Sequence, residues 1–232
     1  MFRFKQFTIR QDRTAMKVCT DACVLGAWAD VGRGGRLLDI GTGTGLLALM
    51  AAQRNPEARI EAVEADEAAA GQAAGNVRES PFADRVRVVP ARIQDVTTEP
   101  FDRILSNPPF YTGHLRSPDA AVNRALHNDE LPFEELISSI VRLLKRDGEC
   151  WVMLPPSELQ RFSRLAEAAG LRPYRTLALR HHARKPVFRM IAGLRYDAPA
   201  VPDRRELCLY EPDGKTYTAG FRSLLQPFYL IF

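Results

Sequence analysis

The stretch Arg36-Leu-Leu-Asp-Ile-Gly-Thr-Gly-Thr-Gly-Leu46 decides the fold, because a hydrophobic run passes directly into a loop with glycine at every second position. The run Arg36–Ile40 predicts a buried strand. The glycines permit positive φ angles and let backbone amides approach a ligand closely. The next residues, Leu46–Arg54, predict a helix, and a helix N-terminus favours an anionic group. The stretch therefore predicts a strand–loop–helix unit that holds a ligand.

Short apolar runs and amphipathic stretches keep alternating as far as the double proline Pro155-Pro156. Strand, helix and strand in this order are typical of a parallel sheet with helices on both of its faces. The predicted strands are Arg59–Glu64, Val86–Val89, Arg103–Ser106 and Glu149–Leu154, and the predicted helices are Glu67–Arg78 and Leu136–Leu144, with Gly148 closing the second helix.

The pattern changes after the double proline. A predicted helix, Glu158–Ala169, leads to two β-rich runs, Tyr174–Leu179 and Val187–Leu194, and nothing helical separates these runs. We therefore expect the two runs to pair in antiparallel fashion. In the remaining tail, Leu207–Tyr210 and the residues 217–232 predict a last strand and a helix packed on the sheet.

The spacing of the glycines indicates which ligand the loop holds. A nicotinamide-type GxGxxG fingerprint would need glycine at position 46, where Leu46 stands. Glycines at 41, 43 and 45 have instead the spacing of S-adenosylmethionine sites. Glu64 ends the second predicted strand, where a carboxylate can accept hydrogen bonds from both hydroxyls of a ribose.

Two further acidic residues follow predicted strands. Asp66 is the predicted N-cap of the helix that begins at Glu67. Asp95 comes after the third predicted strand, where a carboxylate can accept from the exocyclic amine of the cofactor's adenine. The alternative interpretation of Asp95 is a turn residue, because aspartate is common in turns.

The most specific motif is Asn107-Pro108-Pro109-Phe110, which directly follows the fourth predicted strand. Open α/β sheets bind ligands at the carboxyl ends of their strands. Two prolines in series stiffen the backbone and remove two amide donors, so that carbonyl groups are free to accept. The Asn107 oxygen and the Pro108 carbonyl can accept both protons of an –NH2 group while Phe110 stacks on a planar ring. The alternative is a rigid loop that ends in a core phenylalanine.

Composition limits the classes of protein to be considered. The chain has 232 residues, a mass of 26.0 kDa and a formal net charge of +4, which fits a single globular domain. Its N-terminus lacks the apolar core of a signal peptide, and its apolar runs fall short of the ~20 residues that cross a bilayer. Four cysteines without a CxxC spacing predict plain thiols. We therefore expect a cytoplasmic protein with no membrane segment and no metal site.

Basic residues are concentrated in two regions, the opening segment and the stretch Arg161–Arg205. Arginine suits phosphate because its planar fork donates two hydrogen bonds at once. The alternative interpretation is a solvated surface. The opening segment carries Arg3, Lys5, Arg10, Arg13 and Lys17, and the second stretch carries residues 161, 164, 172, 175, 180, 184, 185, 189, 195, 204 and 205.

With these motifs together, the chain resembles class I S-adenosylmethionine-dependent methyltransferases with the [N/D]PP[Y/F] motif of amino-group methylation. It more closely resembles the tRNA1(Val) (adenine(37)-N6)-methyltransferase family. The specific part of this resemblance is FTIRQDRTAMKVCTDACVLGAWA at residues 7–29, ahead of the glycine loop. The segment VEAD at 63–66, the motif NPPF and the terminal FYLIF also match. Phe110 stands where many relatives have tyrosine, which keeps the stacking face and loses a hydroxyl.

The resemblance implies an α/β, Rossmann-like class I methyltransferase fold with a seven-stranded, mostly parallel sheet, an antiparallel last strand and helices on both faces. It implies one domain, with residues 1–35 as an extension that caps the site, 36–195 as the core and 196–232 as an addition packed on the core. Thr20 and Asp21 would help to hold the methionine end of S-adenosylmethionine. The full set expected at the cofactor is Lys17, Thr20, Asp21, Asp39, Gly41, Thr42, Gly43, Gly45, Glu64, Ala65, Asp95 and Asn107, and the catalytic set is Asn107, Pro108, Pro109 and Phe110.

The resemblance implies transfer of a methyl group to the N6 amine of adenine in the anticodon loop of tRNA. The two basic regions are the expected RNA surface. The sequence leaves the oligomeric state open, and we expect a monomer. Other substrates stay open: another RNA adenine, a protein glutamine, or a small molecule methylated on oxygen. Release-factor glutamine methyltransferases carry a helical domain ahead of the core, and DNA adenine methyltransferases usually carry a target-recognition domain. We expect neither in this chain. A cofactor-binding protein without methyltransferase activity is a further alternative.

Overall fold

The computed structural model describes residues 1–14, 16–109 and 131–232. Its strands, in chain order, are β1 (Phe2–Arg3), β2 (Thr8–Ile9), β3 (Arg36–Ile40), β4 (Arg59–Glu64), β5 (Val86–Pro90), β6 (Phe101–Ser106), β7 (Leu144–Leu154), β8 (Arg172–Arg180), β9 (Val187–Arg195) and β10 (Asp203–Cys208). Its described helices are α1 (Thr20–Trp28), α2 (Leu46–Arg54), α3 (Glu67–Arg78), α4 (Phe133–Leu143), α5 (Pro156–Ala168) and α6 (Ala219–Leu225), with a short 3-10 helix at Ile93–Asp95.

The central sheet has eight strands in the order β10-β8-β9-β7-β6-β3-β4-β5. Strands β3 to β7 are parallel to one another, and β9 is antiparallel to both of its neighbours, β7 and β8. The mostly parallel sheet and the antiparallel pairing of β8 with β9 are confirmed. Two details differ from the expectation. The antiparallel strand is inserted between two others, and β10 adds an eighth strand parallel to β8.

Side chains alternate between the two faces of the sheet, and helices cover both faces. On β7, Trp151 and Met153 pack in a cluster that also holds residues of α1, α2 and α6. Cys150, Val152 and Leu154 point to the other face, into a cluster with residues of α4 and α5. This period of two makes the central strand apolar on both faces, as buried parallel strands are. The sheet is therefore a layer enclosed between two apolar cores.

The prediction that Gly148 closes a helix is wrong. Helix α4 ends at Leu143, β7 begins at once, and Gly148 lies inside this strand. A Cβ atom on Gly148 would lie 3.0 Å from the carbonyl oxygen of Asp102 on β6. Glycine is thus needed here because a neighbouring backbone approaches closely, and the local sequence does not reveal that neighbour.

The two ends of the chain lie against each other beside α1. Phe4 forms an isolated antiparallel bridge with Tyr229. The Nζ atom of Lys5 donates to the carbonyl oxygens of Gln226 and Phe232 at 2.6 and 2.9 Å. The predicted last strand and helix of the tail are present as β10 and α6, although β10 begins and ends earlier than predicted. Among the described residues, no helix has the length and apolar character needed to cross a membrane.

Candidate active site

The register of the sheet brings the predicted site residues to one edge. Ile40, the last residue of β3, pairs with Val63 on β4 and with Ser106 on β6. The chain continues from β3 to β4 on one side and returns to β6 on the other, so a crevice opens beyond the carboxyl end of β3. The hydroxyl of Ser106 donates to the carbonyl oxygen of Ile40 at 3.0 Å, which ties these two strand ends together. The glycine loop and Asn107 follow strands at this edge, and Glu64 is the last residue of β4.

The glycine loop has the geometry of a cradle. Gly41, Gly43 and Gly45 have φ angles of 70°, 55° and 84°, a region that residues with a Cβ atom rarely adopt. A Cβ atom on Gly41 or Gly43 would meet no described atom within 4 Å, so both residues face open space. A Cβ atom on Gly45 would touch Ala73 of α3 at 3.6 Å. The first two glycines therefore leave room for a ligand, and the third allows close packing of the helix.

Asp39 lies beneath this loop and is almost completely buried, with 1% of its surface exposed. Its Oδ2 atom accepts from the Thr42 hydroxyl at 2.5 Å and from the backbone amide of Ala48 at 3.1 Å. Its Oδ1 atom is buried and has no hydrogen-bond partner among the described residues. Burial raises the pKa of Asp39 to about 7, against the effect of the two donors and with a contribution from the charge of Glu64. Asp39 therefore presents an unused acceptor next to the cradle.

Glu64 holds the glycine loop from the neighbouring strand. Its Oε2 atom accepts from the amide of Gly43 at 2.8 Å, and its Oε1 atom accepts from the amide of Asp66 at 3.1 Å. Asp66 caps α3 by accepting from the amide of Ala69 at 2.7 Å, which confirms its predicted role. Ala65, between the two acids, is exposed. Glu64 thus lies at the loop with a partly exposed carboxylate, while Asp66 serves as the N-cap of α3.

The motif after β6 places a second unused acceptor at the same edge. The Oδ1 atom of Asn107 is buried and has no hydrogen-bond partner among the described residues. Pro108 is buried and Pro109 is exposed. The predicted stacking residue, Phe110, lies outside the described residues. A buried acceptor without a donor is costly to a fold and is expected where a ligand supplies the donor.

Asp95 is the last residue of the 3-10 helix that follows β5 and is exposed. It lies beyond the carboxyl end of β5, on the far side of β4 from the glycine loop. This position is compatible with contact to the distal part of a ligand that extends from the loop across Glu64. It is equally compatible with the alternative of a turn residue, and Asp95 stays a prediction.

The first turn of α1 is anchored from two distant parts of the chain. The Oδ2 atom of Asp21 lies 3.0 Å from Nε of Arg189 on β9, in an ion pair whose carboxylate side chain is 12% exposed. Tyr229 of the tail lies close to Thr20 and Cys23, and burial raises its pKa. Lys17 is exposed. Sequence reasoning did not identify Arg189 and Tyr229 as partners of this block, because neither residue has a local signal.

In the folded protein, some of the basic residues in the stretch Arg161–Arg205 pair with acidic side chains. Arg180 pairs with Glu206 at 2.9 Å and Arg175 with Asp203 at 3.5 Å. His181 and His182 lie at the turn between β8 and β9, where His181 stacks on Phe188 with ring centroids 4.2 Å apart. The described residues contain no group of three or more histidine, cysteine or acidic side chains arranged for a metal ion.

The fold and the site together define the class of this protein. Residues 24–168 match the family described as Methyltransferase small domain. Among solved structures, the fold resembles a predicted O-methyltransferase from Agrobacterium tumefaciens, with a TM-score of 0.69 and 18% identity over 89% of this chain and 95% of that chain. It also resembles a methyltransferase from Pyrococcus furiosus, with a TM-score of 0.63 and 20% identity over 82% of this chain and 89% of that chain. The chain therefore has the class I methyltransferase fold.

Full-length relatives define the family more narrowly. The chain is 48% identical to the tRNA1(Val) (adenine(37)-N6)-methyltransferase of Dyadobacter fermentans, over 100% of this chain and 98% of the relative. It is 39% identical to the protein of the same name from Pedobacter heparinus, over 100% of this chain and 98% of the relative. The chain belongs to the tRNA1(Val) (adenine(37)-N6)-methyltransferase family.

Proposed function

We propose that this protein transfers a methyl group from S-adenosylmethionine to the N6 amine of adenine 37 in tRNA1(Val), the activity that the names of its relatives state. The observation that carries the proposal is the Oδ1 atom of Asn107 at the edge where the glycine loop opens, since it is buried and has no hydrogen-bond partner in the described part of the chain. Among planar substrates, an exocyclic amine supplies the donor that this oxygen lacks.

The residues at this edge fit the cofactor. Gly41 and Gly43 leave an open cradle. The Oδ1 atom of Asp39 lies beneath it and has no partner within residues 1–14, 16–109 and 131–232. Glu64 would accept from the ribose hydroxyls, Asp95 from the adenine amine, and Thr20 with Asp21 would hold the methionine end. The remaining members of the expected set are Lys17, Thr42, Gly45 and Ala65, all on the same segments.

The chain contributes alignment to the reaction. When bound, S-adenosylmethionine supplies a methyl group on a sulfonium centre. The Oδ1 atom of Asn107 and the carbonyl of Pro108 would each accept one N6 proton of the substrate, which draws the nitrogen from planar toward tetrahedral geometry. Its lone pair, otherwise delocalised into the ring, becomes available on one side. Phe110 would stack on the purine, and the stiff Pro108-Pro109 backbone keeps both acceptors in register.

An RNA substrate fits better than the alternatives of a protein glutamine or a small molecule. A base in an anticodon loop is already unpaired, so its extrusion into the crevice costs less than extrusion from a duplex. The chain carries a net charge of +4 and exposed cations on several elements, which suits a phosphate backbone. Action on tRNA goes with a cytoplasmic enzyme, and we expect a monomer.

The test is methyl transfer to defined RNA. The protein is incubated with labelled S-adenosylmethionine and a tRNA1(Val) transcript, and the product is digested and mapped by nucleoside mass spectrometry. We expect one N6-methyladenosine per tRNA at position 37 and no label on a transcript with guanosine at that position. Label on release-factor protein or on small phenols, with none on RNA, would overturn the proposal.

A further inference from the structure

We infer that the turn between β8 and β9, residues 181–186, is a rigid basic hairpin tip that binds the single-stranded nucleotides flanking the target adenine. This inference rests on the proposed function, because it gives the RNA a second contact beside the site. It narrows the RNA surface expected from the sequence to a few named side chains.

The tip lies at the same edge of the sheet as Asn107. Strand β8 is antiparallel to β9, which is antiparallel to β7, so β8 ends at the edge where β6 ends. Measured across the sheet, the order β8-β9-β7-β6 places the tip two to three strand spacings, about 10–14 Å, from β6. A few nucleotides of single-stranded RNA can span this distance.

The register shows that the tip extends beyond this edge. Ser106 pairs with Val152, while Leu154 and Ala178 both pair with Met190. Arg180 is therefore about four residues beyond the level of Ser106, or about 13 Å at the rise of a strand. A ligand that leaves the crevice at Asn107 toward β8 meets the tip.

Hydrogen bonds hold the tip in one shape. The amide of Lys185 donates to the carbonyl of His182 at 2.9 Å, and Nη1 of Arg180 donates to the carbonyl of Lys185 at 2.7 Å. The segment after β10 supports it from behind, because the amide of Tyr210 donates to the carbonyl of His181 at 2.8 Å. A surface held in this way loses little conformational entropy on binding.

Two cations at the tip have no interaction partner among the described residues. Arg180 pairs with Glu206 and Arg189 pairs with Asp21, so both have structural partners. Arg184 and Lys185 are exposed, and their side chains have no ion pair or hydrogen bond among the described residues. Each can therefore contact a phosphate without breaking an interaction of the fold.

An aromatic surface lies beside these cations. His181 and Phe188 stack with centroids 4.2 Å apart and an interplanar angle of 10°. Phe188 covers one face of the imidazole, and because His181 is exposed the other face is available. Basic side chains next to a free aromatic face bind single strands, since phosphates meet the charges and a base stacks on the ring. This combination favours unpaired nucleotides over a duplex or an acidic protein.

The experiment compares R184A/K185A with R33A/R59A, which also removes two positive charges. Arg33 and Arg59 are exposed at the opposite, amino edge of the sheet, three residues before β3 and at the first residue of β4. Binding of a tRNA1(Val) transcript is measured at several salt concentrations, and methyl transfer is measured with varied tRNA. All variants are first checked for wild-type melting temperature and S-adenosylhomocysteine affinity.

We expect R184A/K185A to raise Kd and KM for tRNA at least about tenfold with kcat unchanged, and to lower the log–log salt slope by about 1.4, the value for two phosphates of a single strand. R33A/R59A should match the wild type. His181→Ala should weaken binding about tenfold, and His181→Phe should restore it, because phenylalanine keeps the stacking face.

Equal tRNA binding and salt slope in R184A/K185A and R33A/R59A would overturn the inference. If the wild type methylates tRNA in that case, the proposed function stands and the hairpin assignment alone fails. If the wild type methylates no tRNA, and if R184A/K185A binds tRNA more weakly than the wild type while R33A/R59A does not, the hairpin surface is supported and the proposed reaction fails.

Discussion

The guanidinium of Arg189 lies 3.0 Å from the carboxylate of Asp21, and this ion pair joins β9 to the first turn of α1. The residues that would hold the methionine end of the cofactor are thereby fixed to the central sheet. Because the Asp21 side chain is only 12% exposed, water can replace this cation only in part.

Removal of the cation should therefore weaken both the fold and the site. We expect Arg189→Ala to cost about 2 kcal/mol in the free energy of unfolding and to reduce S-adenosylmethionine affinity several-fold, because the buried carboxylate loses its partner. The matched control is Arg10→Ala, whose pair with Glu79 is 59% and 50% exposed and should cost less than about 1 kcal/mol. Chemical denaturation and calorimetry measure both quantities. Equal losses in the free energy of unfolding in the two variants would show that the Arg189–Asp21 pair contributes no more than an exposed ion pair.

A substitution in the glycine cradle should lower ligand affinity by more than its effect on stability explains. Gly43→Ala and Gly214→Ala both replace a glycine with positive φ, 55° and 68°, and both added Cβ atoms meet open space. We expect a similar loss of stability, about 1 kcal/mol, from the backbone strain. The Gly43 variant alone should lose S-adenosylhomocysteine affinity, by at least about tenfold, because its methyl group occupies the cradle. Unchanged affinity in Gly43→Ala would mean that the ligand lies elsewhere.

Substitution of Asn107 should reduce turnover and leave the affinity for the cofactor nearly unchanged. Asn107→Ala should reduce the rate of methyl transfer by about two to three orders of magnitude, since one of the two acceptors for the N6 protons is lost. Asn107→Asp keeps an acceptor oxygen and should retain more activity than the alanine variant. Single-turnover assays with saturating cofactor and tRNA give the rates. A variant that loses cofactor binding but transfers methyl groups normally once bound contradicts this role.

The pKa of Asp39 predicts how stability depends on pH. Burial raises this pKa to about 7 from an ordinary value of 3.8, so between these values the folded protein binds a proton that the unfolded chain does not. The contribution of Asp39 to stability is therefore greatest at low pH, falls as pH rises from about 4 to 7 and is constant above. Relative to Asp39→Asn, the ligand-free wild type should lose about 2–4 kcal/mol over this window. If the free energy of unfolding depends on pH in the same way in both proteins, the pKa of Asp39 is not raised.

Local patterns predicted most of the core of the fold. The strand–loop–helix unit at Arg36–Arg54, the cap at Asp66 and the antiparallel pair β8–β9 follow from residues close together in the chain. The error at Gly148 and the place of β10 as the eighth strand of the central sheet have a different origin. In both cases the deciding contact is with a strand elsewhere in the sheet, and nothing in the neighbouring sequence reports its distance.

By itself, the sequence determined which residues could carry chemistry, because the parallel alternation implies that Gly41, Glu64 and Asn107 follow strand ends at one edge. Tertiary structure alone decided how these residues are held and charged. The pairing of Arg189 with Asp21, the contact of Tyr229 with Thr20 and the overhang of the hairpin tip all join segments far apart in the chain. The pKa of Asp39 likewise depends on complete burial, which exists only once both apolar layers have closed over the sheet.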